Sequence, residues 1–204
     1  MSAWWLLVPL AYLAGSVQWG LILVRLQRGI DVRTMGSGRT GVTNVLRAAG
    51  KRAALTVLLL DAGKGLALVL AARAATGDAT IHAATAAAVV VGHIWPVFAG
   101  FRGGRGIAPG LGATGGLLPL ATLAGLAVFI PLVAVTRYVS LGSVAGVTVV
   151  IAVSIVLTVT GYAPLAYLAF AAGCGMLSIW MHRDNIARLM AGTERRLGEP
   201  AATP

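Results

Sequence analysis

Long apolar runs, separated by short polar, glycine-rich or basic stretches, make up almost the whole chain. Runs near the length of a bilayer crossing, with few or no charges, are the pattern of membrane-spanning helices. The strict alternation of a transmembrane β-barrel is absent. Trp4 to Val24 reads as a first helix, with Trp4 and Trp5 suited to the membrane interface. Residues 25–52 read as a basic internal loop, residues 53–75 as a second helix and residues 83–99 as a third. Thr76-Gly77-Asp78 is a short outer turn between those two, and residues 100–110 form a second internal loop.

Charge parity extends this reading. Arg102 and Arg105 lie inside, as by charge do Arg137 and the C-terminal tail, so the chain crosses an even number of times between residues 106 and 137. About 30 residues make roughly 45 Å of helix, more than one crossing and less than two. Gly115-Gly116 and Pro119 offer a break, which predicts two short, tilted or partly re-entrant helices. Residues 142–160 then run out, Gly161-Tyr162-Ala163-Pro164 turns, and residues 165–181 return. The expected fold is all-α: a polytopic membrane helix bundle of seven transmembrane helices, N-terminus outside and C-terminus cytoplasmic. Five helices is the alternative, with residues 111–136 dipping in without crossing. Residues 1–197 form a single domain, and residues 198–204 read as a disordered tail. Gly112-x-x-x-Gly116 and Gly142-x-x-x-Gly146 have the spacing of close helix contacts.

Composition removes the soluble alternative. At 58% hydrophobic and 11% charged, with a mean hydropathy of +0.87, the chain lacks the polar residues to cover a water-soluble core. A helix bundle pairs every backbone polar group internally, as lipid requires. The net charge is +10, and of the sixteen Lys and Arg seven lie between Arg25 and Arg52, two at Arg102 and Arg105, one at Arg137 and four from Arg183 onward. The positive-inside rule accounts for much of that clustering, and anionic headgroups or phosphorylated substrates favour the same charges. No soluble basic module with interleaved aromatics is present, so nucleic acid is not an expected partner. Cys174 stands alone in an apolar run and reads as packing. The first apolar run has no Lys or Arg before it and Arg25 just after it, which fits a first crossing better than a cleaved signal peptide.

Candidate chemistry sits in the polar stretches. Gly36-Ser37-Gly38-Arg39-Thr40-Gly41-Val42-Thr43-Asn44, followed by Arg47, combines bare backbone N–H groups, hydroxyls, an amide and positive charge, which is the chemistry of holding a phosphate. It lacks the Gly-Lys-Ser/Thr ending and the preceding strand of a nucleotide loop, so nucleotide hydrolysis is not expected. A flexible interfacial loop is the plainer alternative. Asp61 and Lys64, three apart on one helical face, belong in the bundle interior as a structural ion pair or as part of a polar cavity. His93 stands near the inner end of the third helix, next to Arg102-Gly103-Gly104-Arg105-Gly106, a second stretch of bare backbone and positive charge. Ser140 and Ser143 bring hydroxyls to the same membrane face, as helix caps or as site groups. His182, Asn185 and Arg188 recur every three residues on one face of an amphipathic segment, with Ile186 and Leu189 on the adjoining face and Glu194 following. The three histidines form no metal set.

These residues together resemble the bacterial membrane acyl-phosphate:glycerol-3-phosphate acyltransferase family over nearly the whole chain. The first shared motif runs from Gly36-Ser37-Gly38 through Thr43-Asn44 to Arg47, with Asp61 and Lys64-Gly65 after it. The second runs from Gly92-His93 through Pro96 and Phe98 to Phe101-Arg102-Gly103-Gly104-Arg105-Gly106, and the third is His182, Asn185-Ile186, Arg188-Leu189, Gly192 and Glu194, preceded by Ser140 to Ser143. The resemblance implies seven helices and acyl transfer from a fatty acyl phosphate to glycerol 3-phosphate at the cytoplasmic face of the bacterial inner membrane, giving lysophosphatidic acid and phosphate with no metal, nucleotide or other cofactor. It implies catalytic roles for Ser37, Arg47, Ser140, Ser143, His182 and Asn185. It implies substrate binding by Gly36, Gly38, Thr43, Asn44, Lys64 and His93, and by Arg102, Gly103, Gly104, Arg105, Gly106 and Arg188. Membrane lipids are the remaining partners.

The chain departs from the family at Arg39, where Asn is usual, at Arg102 and Arg105, where Lys is usual, and at Met181, where Arg is usual. Ser16-Val17-Gln18-Trp19 also stands where Ser-Ile-Pro-Phe is common. Exchanging Lys for Arg keeps the charge and turns a point donor into a planar fork. An anion transporter using the same arginines, or a scaffold for anionic lipid, are the rival readings; the internal symmetry a transporter predicts is not visible.

Overall fold

The first apolar run does not make one uninterrupted helix. In the computed structural model, which describes residues 3–199, a 3-10 turn at Ala3–Leu6 leads into α1 (Leu7–Gly15), and the chain then opens at residues 16–18 before α2 (Trp19–Arg28). The cause is a set of polar groups that compete for the backbone. Buried Gln18 donates through its amide to the carbonyls of Gly15 and His93 and accepts from the Thr40 hydroxyl at 2.6 Å. The Lys64 ammonium donates to the freed carbonyls of Gly15 and Val17, at 3.0 and 2.8 Å. A break in a membrane helix is tolerable when side chains satisfy what the backbone gives up.

The predicted 25–52 loop is mostly helical at its two ends. α2 continues to Arg28, and α3 begins at Val42 and runs to Ala75. Gly50, at φ 84°, separates the first two turns of α3 from its long apolar part. α4 (Ala79–Ile94) starts where the Asp78 carboxylate accepts from Thr80 N at 2.8 Å. The long run after Gly106 does break in two, at Leu118, into α5 (Ile107–Leu117) and α6 (Pro119–Thr136). α7 (Val139–Val159), α8 (Leu165–Met181) and the amphipathic α9 (Arg183–Met190) complete the chain, with a 54° bend between the last two.

Five segments are long and apolar enough to cross a membrane, and six if α8 and α9 count as one bent span. At eleven residues α5 rises only about 16 Å and cannot cross alone. No strand occurs among the described residues. Of the tail expected to be disordered, Gly198 and Glu199 are described, with Glu199 accepting from Arg196 N, and residues 200–204 lie outside the described residues.

α4 is the central post. Ile81, Ala86, Val89, Val90 and Ile94 are buried along it, and α1, α3, α5 and α8 pack around it. α6 and α7 form a second pair, joined to the rest through α8 and the start of α6. The expected glycine seams exist. A Cβ on Gly112 would run into the Ala62 carbonyl, one on Gly65 into the Pro109 carbonyl, and one on Gly116 into Val69. Gly146 and Gly142 meet Gly125, Phe129 and Val133 in the same way across α6 and α7.

Candidate active site

One cavity of about 480 Å³ opens at the end of the bundle where the polar loops gather. Its polar end is lined by Gly36, Ser37, Thr43, Asn44 and Arg47 from the first loop and the start of α3. His93 at the end of α4, Arg105 and Gly106 add to it, as do Ser140 and Ser143 on α7. His182, Asn185, Arg188 and Glu194, around α9, close the ring. The wall beyond is apolar: Leu126, Phe129 and Ile130 of α6, Val147 and Val150 of α7, and Phe170, Ala171 and Cys174 of α8. Cys174, read from sequence as packing, is one of those wall residues and lies against the core.

Asn44 organises the first loop. Its amide nitrogen donates to the carbonyls of Val32, Met35 and Arg39 at 2.8, 3.0 and 2.9 Å, and its oxygen accepts from Ser37 N at 3.3 Å. Those bonds use the side chain up, so Asn44 holds the loop's shape instead of offering its own donors to a ligand. Gly36 and Gly38 turn with φ of 56° and 66°, which an L-residue adopts only with strain. Arg33 ties this loop to the second one, gripping Asp31 and donating to the Ala99 carbonyl at 2.8 Å.

Several expected ligand groups are placed elsewhere. Lys64 does not line the cavity. Its three protons go to Asp61, at 2.7 Å, and to the two carbonyls of the α1–α2 break. The ion pair foreseen on α3 is thus a clasp for broken helix. Gly103 N and Gly104 N do not point at a ligand either, since they donate to the carbonyls of Ile94 and His93 and finish α4. Glycine is needed at both because a Cβ would meet the His93 carbonyl or ring. Arg102 is exposed, and neither it nor Gly38 is in the cavity wall. Gly106, by contrast, begins α5 in the left-handed region at φ 85°, so the first N–H groups of that helix border the cavity.

Arg105 is anchored through Nε to the Met181 carbonyl at 3.1 Å, which leaves its outer nitrogens for a ligand. Burial, then the like charges of Arg39 and Arg188, push its pKa down to about 10, so it stays charged near neutrality and favours an anion. Burial also lowers Arg39, which lines the cavity nearby. His182 Nδ1 lies 2.8 Å from the Ser178 carbonyl; a carbonyl only accepts, so Nδ1 carries the hydrogen and Nε2 of the neutral ring keeps its lone pair. Neither serine is a cap: Ser140 Oγ donates to Glu194 Oε1 at 2.7 Å, and Ser143 Oγ donates back to the Val139 carbonyl.

Glu194 was visible as a motif residue without a role, and the structure supplies one. It accepts from Ser140 and Asn185 (2.6 Å) through one oxygen and from Arg188 Nε (2.8 Å) through the other, joining α7 to α9. Burial acts to raise its pKa, but these hydrogen bonds outweigh it and hold the carboxyl below the usual range. The resulting stability is complete above the unfolded value of about 4.3 and is lost as pH falls through the lower folded value. Glu194→Gln is therefore expected to melt below the wild type at neutral pH, with the gap closing below about pH 4. Thermal melts in detergent down to about pH 3 check this, and a gap constant over the whole range would count against it.

Arg195, which sequence reasoning left among the tail's charges, also lines the cavity. Only its charge was legible, because nothing in the local pattern says which way it points.

Comparison with known proteins follows the same residues. The sequence model of the family described as glycerol-3-phosphate acyltransferase matches residues 5–192. A glycerol-3-phosphate acyltransferase of Myxococcus xanthus is 48% identical over 192 residues, 93% of this chain and 97% of the relative. One of Halalkalibacterium halodurans is 42% identical over the full length of both chains. Among solved structures, PlsY, an integral membrane glycerol 3-phosphate acyltransferase, in its glycerol 3-phosphate form superposes with a TM-score of 0.89 at 38% identity, covering 97% of this chain and 96% of that one. Its lysophosphatidic acid form gives 0.85 at 37% identity.

Proposed function

Because the chain belongs to the glycerol-3-phosphate acyltransferase family, we propose that it moves a fatty acyl group from an acyl phosphate to glycerol 3-phosphate, giving lysophosphatidic acid and inorganic phosphate, the first step of phospholipid synthesis. The observation that carries the reading is the union of strong positive charge and apolar wall in one cavity. Five guanidiniums (Arg39, Arg47, Arg105, Arg188 and Arg195) face one carboxylate, Glu194, while Asp61 is already paired with Lys64. That leaves a net of four positive charges, against roughly four negative ones on the two phosphate groups, one of an acyl phosphate and one of a monoester, at neutral pH. Ser140 and Val150 of α7 both border the cavity, and about 15 Å of helix rise separates them. With carbon–carbon bonds of about 1.5 Å in zigzag, that depth takes an extended chain of roughly twelve methylenes.

The acyl phosphate lies with its chain along α6, α7 and α8 and its phosphate on the Ser37–Arg47 loop. Glycerol 3-phosphate enters from the cytoplasmic side, drawn by the arginines. Its hydroxyl attacks the acyl carbonyl, the carbon–oxygen bond to phosphate breaks, and the proton passes through His182 Nε2 to the departing phosphate. Phosphate is a good leaving group, so positioning and charge stabilisation do most of the work. Ser37, Ser143 and Asn185, whose Oδ1 is buried without a partner, orient the reactants. In this reading the chain is a multi-pass protein of the bacterial inner membrane, N-terminus outside and C-terminus cytoplasmic. α5, too short to cross alone, dips in as a partly re-entrant helix ahead of α6, and no cofactor is used.

Purified protein given acyl phosphate and glycerol 3-phosphate tests the proposal. Wild type is expected to release phosphate in step with lysophosphatidic acid, and Ser37→Ala and Arg47→Ala to lose about 10²-fold or more of that rate. No coupled product from well-folded wild type would overturn it.

A further inference from the structure

After α9 the chain does not leave the bundle. Residues 193–197 lie as a strap against α7 and α9, fastened on both flanks of Arg195. On one flank Glu194 is tied to Ser140, Asn185 and Arg188. On the other, Arg196 Nε donates to the Tyr138 hydroxyl at 3.4 Å, with its guanidinium 5.5 Å over the Tyr138 ring. Leu197 N donates to the Arg137 carbonyl at 2.6 Å, and the Arg137 guanidinium donates back to the Leu197 carbonyl.

Arg195 itself is held by none of this. It lines the cavity, and its Nη1 is buried with no hydrogen-bond partner among the described residues. Arg47 lines the same cavity, and its Nε is likewise buried with no hydrogen-bond partner among the described residues. Two half-buried guanidiniums, each with one buried nitrogen left unpartnered, are costly unless an anion sits between them. Glu194 is not that anion, since its two oxygens are taken.

We propose that the strap exists in part to deliver Arg195, which closes with Arg47 a two-guanidinium clamp on one phosphate group, that of the acyl donor set on the Ser37–Arg47 loop. The assignment rests on the two-phosphate reaction proposed above. Guanidinium forks suit phosphate oxygens geometrically as well as by charge.

The test uses full-length Arg195→Gln and Arg195→Lys, with KM and kcat measured for each reactant and the thermal shift titrated with inorganic phosphate. Arg195→Gln is expected to raise the KM for acyl phosphate roughly tenfold, with the phosphate titration midpoint moving alike, as for one lost charge-assisted contact. Its KM for glycerol 3-phosphate stays within about twofold, and Arg195→Lys recovers part of the loss. A lower melting temperature alone, with KM values and phosphate titration unchanged, would reduce the strap to a structural brace and overturn the clamp. A rise in the glycerol 3-phosphate KM alone would overturn the donor assignment. If wild type shows no acyl transfer, the reaction reading fails, while the phosphate titration still decides whether Arg195 binds phosphate.

Discussion

Arg105→Ala is expected to lower kcat/KM by about 10²–10³-fold, the scale of truncating one partner of a buried, hydrogen-bonded charge contact. The guanidinium is fixed at Nε by the Met181 carbonyl, so the fork is preorganised, and its neighbours Arg39 and Arg188 repel it in the absence of an anion. Arg105→Lys keeps the charge, loses the anchor to Met181, and is expected to cost only about tenfold. Steady-state phosphate release by the two variants and wild type measures the difference. Equal losses for both would mean that the fork matters and charge alone does not; no loss in Arg105→Ala would remove Arg105 from the site.

Gly112→Leu is expected to prevent formation of a stable bundle, and Gly112→Ala to destabilise it by about 3 kcal/mol or more, at the upper end for overpacking. At this point a Cβ meets the carbonyl of Ala62 on α3, and backbone cannot turn aside as a side chain does. Gly65 makes the reciprocal approach to the Pro109 carbonyl, so α3 and α5 touch backbone to backbone on both sides of the seam. Separating them would also carry Asp61 and Lys64 on α3 away from the α1–α2 break they fasten. Size-exclusion profiles and thermal melts in detergent report the outcome; a monodisperse Gly112→Leu protein of wild-type stability would show that the helices stand further apart than the seam requires.

Much of the site was readable because its parts are chemically conspicuous in an apolar chain. A histidine, an arginine or a run of glycines beside a membrane helix has few inexpensive explanations. Thus Ser37, Arg47, Arg105, His182, Asn185 and Arg188 were all named, and the cavity brings all of them together. What misled was valence. Lys64, Gly103, Gly104 and Asn44 carry the right donors, but those donors are spent on carbonyls left open by the α1–α2 break, the end of α4 and the first loop. Helix breaks were equally uneven. Pro119 follows Leu118, where α5 ends, whereas the opening at residues 16–18 depends on partners 22 or more residues away.

Hydrophobic run length and charge placement are local properties of the chain, and they settle that it is a helical membrane protein whose polar residues gather in a few short stretches. Which donors remain for a ligand is not local. That is decided when distant carbonyls, such as those of Gly15, Val17, His93 and Ile94, claim some of them first. The same holds for Arg195: its charge belongs to the sequence, but its aim into the cavity comes from neighbours pinned to Tyr138 and Ser140 on a helix more than fifty residues earlier.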